Sequence, residues 1–192
     1  ELIQRSRVFM TQLEQSLDAA NTALAYAKQG GSITILNPAP AQPLGENILR
    51  LCDFVTPNEI EAEQITGIPV KSVSDAEVAA DKLLEKGASA AVITLGEQGA
   101  LFKDSKQIIH QPSFQVGPIV ETTGAGDAFN GGLAVALAEE MPIDKALRFA
   151  CATASISVTR PGTAPSMPDR NEIDALLILS LIHISEPTRR YE

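Results

Sequence analysis

Apolar residues along the chain alternate between short unbroken runs and longer stretches with helical spacing. Val8-Phe9-Met10 lies in the first short run, which predicts a strand over 7–13. Leu17, Ala20, Leu24 and Ala27 recur at helical intervals and predict a helix over 16–29, ended by Gly30-Gly31. Ile33-Thr34-Ile35-Leu36 reads as a second strand. Asn37-Pro38-Ala39-Pro40 follows as an extended loop, because each Pro restricts its predecessor. A third strand is predicted over 53–56, then a helix opened by Pro57-Asn58-Glu59 that runs to Thr66 and stops at Gly67. Over 74–86, Ser74 caps a helix, Glu77 completes a capping box and Gly87 closes it. Residues 90–95 are an unbroken apolar strand of the kind found inside parallel sheets. Gly96-Glu97-Gln98-Gly99 is a turn, and 100–102 with 107–110 read as a hairpin around Asp104-Ser105. Two Ala-rich helices are predicted over 128–140 and 143–158, then a Pro/Gly-rich loop over 160–168 and a last helix from about Arg170.

Alternating strands and helices imply an α/β layered domain with a mostly parallel sheet. In such sheets ligands sit beyond the carboxyl ends of the strands. Glu14, Asn37, Asn58, Glu61 and Thr94 all fall at those ends, so the architecture gathers them along one rim.

Composition narrows the partners. At 44% hydrophobic residues, a chain of 192 residues builds a core in one domain. The net charge of −9 argues against nucleic acid and against an anionic membrane surface. A phosphorylated ligand must therefore be held locally, by backbone amides and a metal. Cys52 and Cys151 lie in apolar surroundings without C-x-x-C spacing, which fits buried thiols in a reducing compartment and a cytoplasmic location. No stretch reaches transmembrane length without charge or Pro, and no secretory signal is visible. The chain opens on Glu1 and enters an apolar run within a few residues, which reads as a piece of a longer protein. The pattern breaks near the other end. Residues 1–178 are taken as the domain and 179–192 as a tail of foreign origin.

The most informative stretch runs Glu121-Thr122-Thr123-Gly124-Ala125-Gly126-Asp127-Ala128-Phe129-Asn130-Gly131-Gly132. A small-residue loop that opens a helix offers free N–H groups and the positive end of a dipole to an anion. Asp127 puts a carboxylate where a phosphate is expected. That conflict is resolved if the chemistry needs a base beside the transferring group. The plainer alternative is close packing by the glycines, with Asp127 merely favouring the helix start. No G-x-x-x-x-G-K-[ST] occurs, and Phe129 replaces the third Gly of a dinucleotide fingerprint.

Other candidates also carry two readings. Glu14 is a solvated turn residue or a ligand contact. Asn58 and Glu61, three apart, are an acidic helix face or an oxygen site for Mg²⁺. Thr94-Leu95-Gly96 is turn chemistry or a ligand edge. Cys151 reads as core, since no His lies nearby in sequence to activate it. His110 reads as a hairpin side chain, and His183 belongs to the tail. No zinc-type cluster is present in the sequence.

The Thr122-Thr123-Gly124-Ala125-Gly126-Asp127 loop with Phe129-Asn130-Gly131 resembles the C-terminal signature of the ribokinase (PfkB-type) carbohydrate kinases. Asn58-Glu59-x-Glu61, Thr94-Leu95-Gly96-x-x-Gly99 and Val158-Thr159-Arg160-Pro161-Gly162 join it in the family's order. Asn37-Pro38-Ala39-Pro40-Ala41 is most similar to the ribose-phosphorylating members. The resemblance runs from about Val8 to about Leu177. It lacks the family's N-terminal strands, di-glycine sugar motif and lid sheet, so it implies a ribokinase-like α/β/α fold incomplete at the N-terminus.

The resemblance implies ATP-dependent phosphorylation of a sugar's primary hydroxyl, ribose first, with fructose, ketodeoxygluconate or a nucleoside as alternatives. A nucleotide-binding fragment without catalysis is the alternative from another class. Asp127 corresponds to the catalytic base that also meets the sugar, and Gly124, Ala125 and Gly126 to the anion hole. Asn58, Thr94, Leu95, Gly96, Glu97, Gln98 and Gly99, with Gly126, Asp127 and Cys151, would line the nucleotide. Glu14 matches a sugar contact, and Glu61 would help organise Mg²⁺. Glu121, Thr123, Ser157, Arg160, Gly162 and Ser166 match a site for a monovalent cation, usually K⁺. Glu121 stands where the family usually has Asp, and Cys151 where it often has His. A full-length parent is expected to be a homodimer paired through the lid.

Overall fold

Six strands form one sheet whose spatial order is their chain order. The computed structural model describes residues 1–185, with side chains through Ser180. Strands β1 (Val8–Thr11), β2 (Ile33–Leu36), β3 (Phe54–Val55) and β4 (Ala90–Thr94) run parallel. Strands β5 (Ala100–Asp104) and β6 (Ile108–Gln111) add an antiparallel edge. Helices α1 (Leu2–Arg5), α2 (Leu17–Gln29), α3 (Glu46–Leu49), α4 (Glu59–Thr66) and α5 (Val73–Glu85) surround or connect the parallel strands. Helices α6 (Ala125–Ala138), α7 (Ile143–Ser157) and α8 (Arg170–Ser185) follow the antiparallel edge.

The two-residue period of a strand sorts the core into two layers. Leu36, Ala91, Ile93 and Leu101 face one cluster with Ala20, Leu24, Ala79 and Leu83 of α2 and α5. Their neighbours Ile35, Ala90, Val92 and Phe102 face a second cluster with Phe129, Leu133, Leu147 and Phe149 of α6 and α7. Strands buried on both faces explain why 90–95 reads as a continuous apolar run rather than an alternation. The result is the α/β/α layering expected from the sequence, with three parallel and two antiparallel strand pairings.

Several boundaries differ from the sequence expectation. Helix α5 is capped by Ser72, not Ser74. Ser72 Oγ accepts from the Asp75 N–H at 3.1 Å, and the Asp75 carboxylate accepts in turn from the Lys71 N–H. Either serine has an acid three residues on. The earlier start lets Val73 pack against the core and frees Glu77 to pair with Lys103. Helix α6 begins at Ala125 rather than Ala128, because Gly124 takes a left-handed conformation (φ 82°) and turns the chain into the helix there. The single turns α1 and α3 carry no periodicity long enough to be seen in the sequence. Helix α8 continues across the 178/179 boundary to Ser185. The rest of the expected tail, 186–192, and the side chain of His183 lie outside the described residues. Among the described residues no helix is long and apolar enough to cross a membrane.

Helices α6 and α7 pack closely through Gly132. A Cβ there would lie 2.7 Å from Thr153 Oγ1 and 3.1 Å from the Ala150 Cα, and Thr153 Oγ1 is itself tied to the Phe149 carbonyl at 2.8 Å. Overpacking of this kind costs about 1–3 kcal/mol, against a helix-propensity gain of about 1 kcal/mol for Gly→Ala. Gly132→Ala is therefore expected to lower the thermal midpoint by a few degrees. Gly131→Ala, whose Cβ meets nothing within 4 Å, is expected to raise it. Melting curves of the two variants check this, and a Gly132→Ala midpoint at or above wild type would contradict the packing limit.

Candidate active site

The carboxyl ends of β1, β2, β3 and β4 deliver Gln12, Asn37, Thr56 and Thr94 to one rim, and the N-terminus of α6 is brought to it. A chain of hydrogen bonds fixes that approach. Thr56 Oγ1 donates to Asn130 Oδ1 at 2.6 Å, and Asn130 Nδ2 donates to the Gly126 carbonyl at 2.9 Å. Thr56 and Asn130 are both 2% exposed, so each polar group needs its partner. The chain locks the first turn of α6 to the end of β3. Asp127, in that turn, is exposed.

Asp127 borders a cleft of about 350 Å³ whose other walls are Met10, Thr11, Gln12, Gln15, Asn37 and Asn130. Its Oδ1 accepts from Gln12 Nε2 at 2.9 Å. Every other polar group in this lining is a neutral amide or hydroxyl. On the far side of Asp127 lies an apolar groove of about 310 Å³ between α6, α7 and the start of α8. Glu14 is exposed in the loop after β1 and does not border the cleft, whereas Gln12 and Gln15 do.

The anion-hole residues are arranged less uniformly than the sequence suggests. The Ala125 N–H is given to the Thr122 carbonyl at 3.1 Å, closing a turn. The Gly124, Gly126 and Asp127 N–H groups have no acceptor among the described residues. They are the orphan donors of the helix start, where the dipole also favours negative charge. At Gly124 a side chain would meet Thr163 Cγ2 at 3.2 Å, so the loop 122–124 lies directly against the loop after α7.

A second group gathers at the end of β4. Asn58 bridges to Thr94, and the Thr94 N–H donates to the Pro57 carbonyl at 3.0 Å. Gly96, Glu97 and Gln98 are exposed in the following turn, and Leu95 is buried with its side chain in the core. The Leu95 N–H closes that turn onto the Gly99 carbonyl. His110 Nε2 bonds the Gln98 carbonyl at 2.7 Å, so this hairpin side chain steadies the turn. Asn58 and Glu61 form a reciprocal capping box: Glu61 N–H to Asn58 Oδ1 at 2.9 Å, and Asn58 N–H to Glu61 Oε2 at 2.9 Å. Burial pushes the Glu61 carboxyl above its ordinary range, offset in part by the Asn58 N–H.

The third group closes the loops around Gly124. Glu121 Oε2 accepts from the Gly162 N–H at 2.8 Å. That bond, with a second from the Thr123 side chain, holds the Glu121 carboxyl below its ordinary range. The Glu121 N–H reaches the Val158 carbonyl at 3.2 Å. Ser166, 2% exposed, donates its hydroxyl to the Thr163 carbonyl at 2.6 Å. The Ser157 hydroxyl bonds the Ala154 carbonyl, and its own carbonyl accepts from the Arg160 N–H. The Arg160 guanidinium pairs with Glu172, which also caps α8. The carbonyls of Thr123, Arg160 and Gly162 accept no hydrogen bond among the described residues.

Cys151 is 3% exposed in the core shared by α6, α7 and β6. Burial pushes its thiol up to about 12, so it is neither a nucleophile nor a rim residue. Among the described residues no three His, Cys, Asp or Glu side chains cluster as metal ligands. Gln12, Gln15, Thr56 and the side chain of Asn130 were not singled out by the sequence. Their strand-end and helix-start positions were visible, but an uncharged side chain carries no signal until its partner across the sheet is known.

The comparisons with known proteins agree with this geometry. The family model described as pfkB family carbohydrate kinase matches residues 2–170. A ribokinase of Haemophilus influenzae is 42% identical over 172 residues, covering 88% of this chain and 55% of the relative. A deoxyribokinase of Salmonella typhimurium is 36% identical, covering 94% of this chain and 59% of the relative. The structure of Arabidopsis thaliana ribokinase complexed with ribose and ATP superposes with a TM-score of 0.88 at 30% identity, over 92% of this chain and 57% of that one. The chain thus spans a little over half the length of these relatives. The layered sheet, the rim and the family match converge: this chain belongs to the pfkB family of carbohydrate kinases.

Proposed function

We propose that the protein transfers the γ-phosphoryl group of ATP to the primary hydroxyl of a sugar, with ribose as first substrate. The observation that carries this reading is Asp127, an exposed carboxylate in the first turn of α6 beside N–H groups without acceptors, at the mouth of a polar cleft. The sugar hydroxyl oxygen attacks the γ-phosphorus, its proton passes to Asp127, and the bond from phosphorus to the ADP oxygen breaks. The Gly124, Gly126 and Asp127 amides stabilise the charge on the transferring oxygens, as phosphoryl transfer requires. Asn58 and the exposed turn 96–98 lie on the same rim and would take the nucleotide. Ribose is favoured by the relatives named as ribokinases and by the Arabidopsis complex with ribose and ATP. Glu14, exposed in the loop after β1, is assigned to the sugar by the family resemblance alone, and Cys151, buried in the core, would not touch the nucleotide.

The donor sets fit the two cations that the family implies. Glu61 is the single carboxylate here, and since both its oxygens accept from Asn58 and it is 8% exposed, it would act on Mg²⁺ through the waters that ion keeps. Held there, Mg²⁺ would supply neutralisation of the phosphate charge. The free carbonyls of Thr123, Arg160 and Gly162, with the Ser157 carbonyl, the Ser166 hydroxyl and the Glu121 carboxylate, are the hard oxygen donors a K⁺ ion takes. The longer arm of Glu121 is used to reach the Gly162 N–H and clasp the two loops.

Asp127→Asn in the full-length protein that carries this sequence is expected to reduce phosphorylation of ribose by about 10²–10⁴-fold, with ATP affinity by calorimetry changed little. Turnover near wild type would remove Asp127 from its role. Nucleotide binding without turnover of ribose, 2-deoxyribose, fructose, ketodeoxygluconate or adenosine would instead favour a nucleotide-binding module.

The clasp makes a separate prediction. The Glu121 carboxyl titrates lower in the fold than its ordinary value of 4.5. Its stabilising contribution is therefore present above that value and lost as pH falls through the folded-state pKa. The stability gap between wild type and Glu121→Gln is expected to be widest near neutral pH and to close below pH 4.5. Melting curves from pH 7 to pH 3 read this directly, and a constant gap would contradict it.

A further inference from the structure

We infer that Gln12 is the positioning residue for Asp127: its side-chain amide holds one carboxylate oxygen so that the other is presented to the attacking hydroxyl. The inference rests on the kinase reading above. Gln12 follows the last residue of β1 and is half-buried, whereas Asp127 lies 115 residues later on α6. The 2.9 Å bond from Gln12 Nε2 to Asp127 Oδ1 is the one hydrogen bond to this carboxylate among the described residues.

The main chain of Gln12 is itself held in place. Its backbone carbonyl accepts from Gln15 Nε2 at 2.7 Å and from Thr11 Oγ1 at 3.2 Å, and Gln15 Nε2 also bonds Thr11 Oγ1 at 2.5 Å. The β1 end is thus cross-tied over four residues before its amide reaches the base. Among the described residues no Lys, Arg or His borders the cleft, and Arg170, which lines the groove on the other side of Asp127, pairs with Glu139 and Asp174 instead.

The type of residue matters. An amide N–H₂ donates without carrying a charge and has no proton to lose near neutral pH. It fixes the carboxylate rotation while leaving it free to accept the substrate proton. A Lys or Arg in the same place would form a charge-assisted pair and weaken the base. A base left to rotate loses alignment, and misplacement of about 1 Å costs up to roughly a hundredfold in rate.

Two measurements test the inference in the full-length protein. In the first, the Gln12 side-chain ¹H–¹⁵N cross-peaks are compared between wild type and Asp127→Ala. They are expected to move, and unmoved peaks would show that the contact is absent, whatever the enzyme's activity. In the second, ribose phosphorylation is followed in Gln12→Leu and Gln12→Glu. Gln12→Leu is expected to lower kcat about tenfold to a hundredfold with the KM values for ribose and ATP within about threefold. Gln12→Glu is expected to be as poor at pH 8 and to recover relative to Gln12→Leu as pH falls, because a protonated acid donates as the amide does. An unchanged kcat, a loss confined to KM, or no recovery on acidification would each overturn the positioning role. Failure of the kinase reading itself shows separately, as undiminished turnover in Asp127→Asn.

Discussion

The site depends on a buried hydrogen-bonded link between the sheet and one helix. Asn130 and Thr56 come from positions 74 apart in sequence and are both almost fully removed from water. Neither would be tolerated there alone, since a buried polar group without a partner costs about 1–3 kcal/mol. Paired, they set where the first turn of α6 sits over the end of β3. The amide of Asn130 then holds the Gly126 carbonyl, one residue before Asp127. Asp127 is therefore located by the backbone of a helix start anchored in the core, although its own side chain is exposed. Gly132 contributes from the other side by letting α7 approach α6 closely. The same helix is thus fixed at its first turn by polar contacts and at its middle by packing.

The rest of the rim follows from parallel strand order. Four parallel strands in chain order place four carboxyl ends side by side, and each either ends on or is followed by a polar residue. Gln12, Asn37, Thr56 and Thr94 are neighbours for that reason alone. The loops after α7 and before α6 are joined independently, by Glu121 to the Gly162 N–H and by Val120 to the Val158 carbonyl at 2.8 Å. These two contacts clasp the two glycine-containing loops where the proposed cation donors lie.

Much of this was legible in the sequence, and the failures are specific. The strand and helix order was readable because the apolar periods are distinct, and the small-residue loop marked the α6 start. The cap of α5 was misplaced because Ser72–Asp75 and Ser74–Glu77 present the same spacing, and only tertiary packing of Val73 separates them. The α6 boundary was set three residues late because Gly124-Ala125-Gly126 has low helix propensity, and the left-handed Gly124 cannot be read from its neighbours. Calling all three of those amides alike missed the turn that takes up the Ala125 N–H. Gln12 was not singled out because an uncharged amide draws no notice in a sequence, yet it borders the cleft at this strand end.

That last contrast reflects how a chain of net charge −9 manages an anionic ligand. The positive potential comes from oriented peptide N–H groups at a helix start, which cost no extra reorganisation when charge develops. A lysine or arginine on the cleft wall would add attraction for phosphate, but it would also pair with Asp127 and hold its proton affinity down. Neutral amides from β1 and β2 avoid that conflict. Among the described residues they leave the carboxylate as the sole charged side chain of the cleft, and one of them, Gln12, hydrogen-bonds it. Under the proposed reading, a base and an anion hole would share one turn of α6 without cancelling each other. In the proposed transfer the amide dipoles would face the phosphoryl group, while the carboxylate would take the proton of the hydroxyl that attacks the phosphorus.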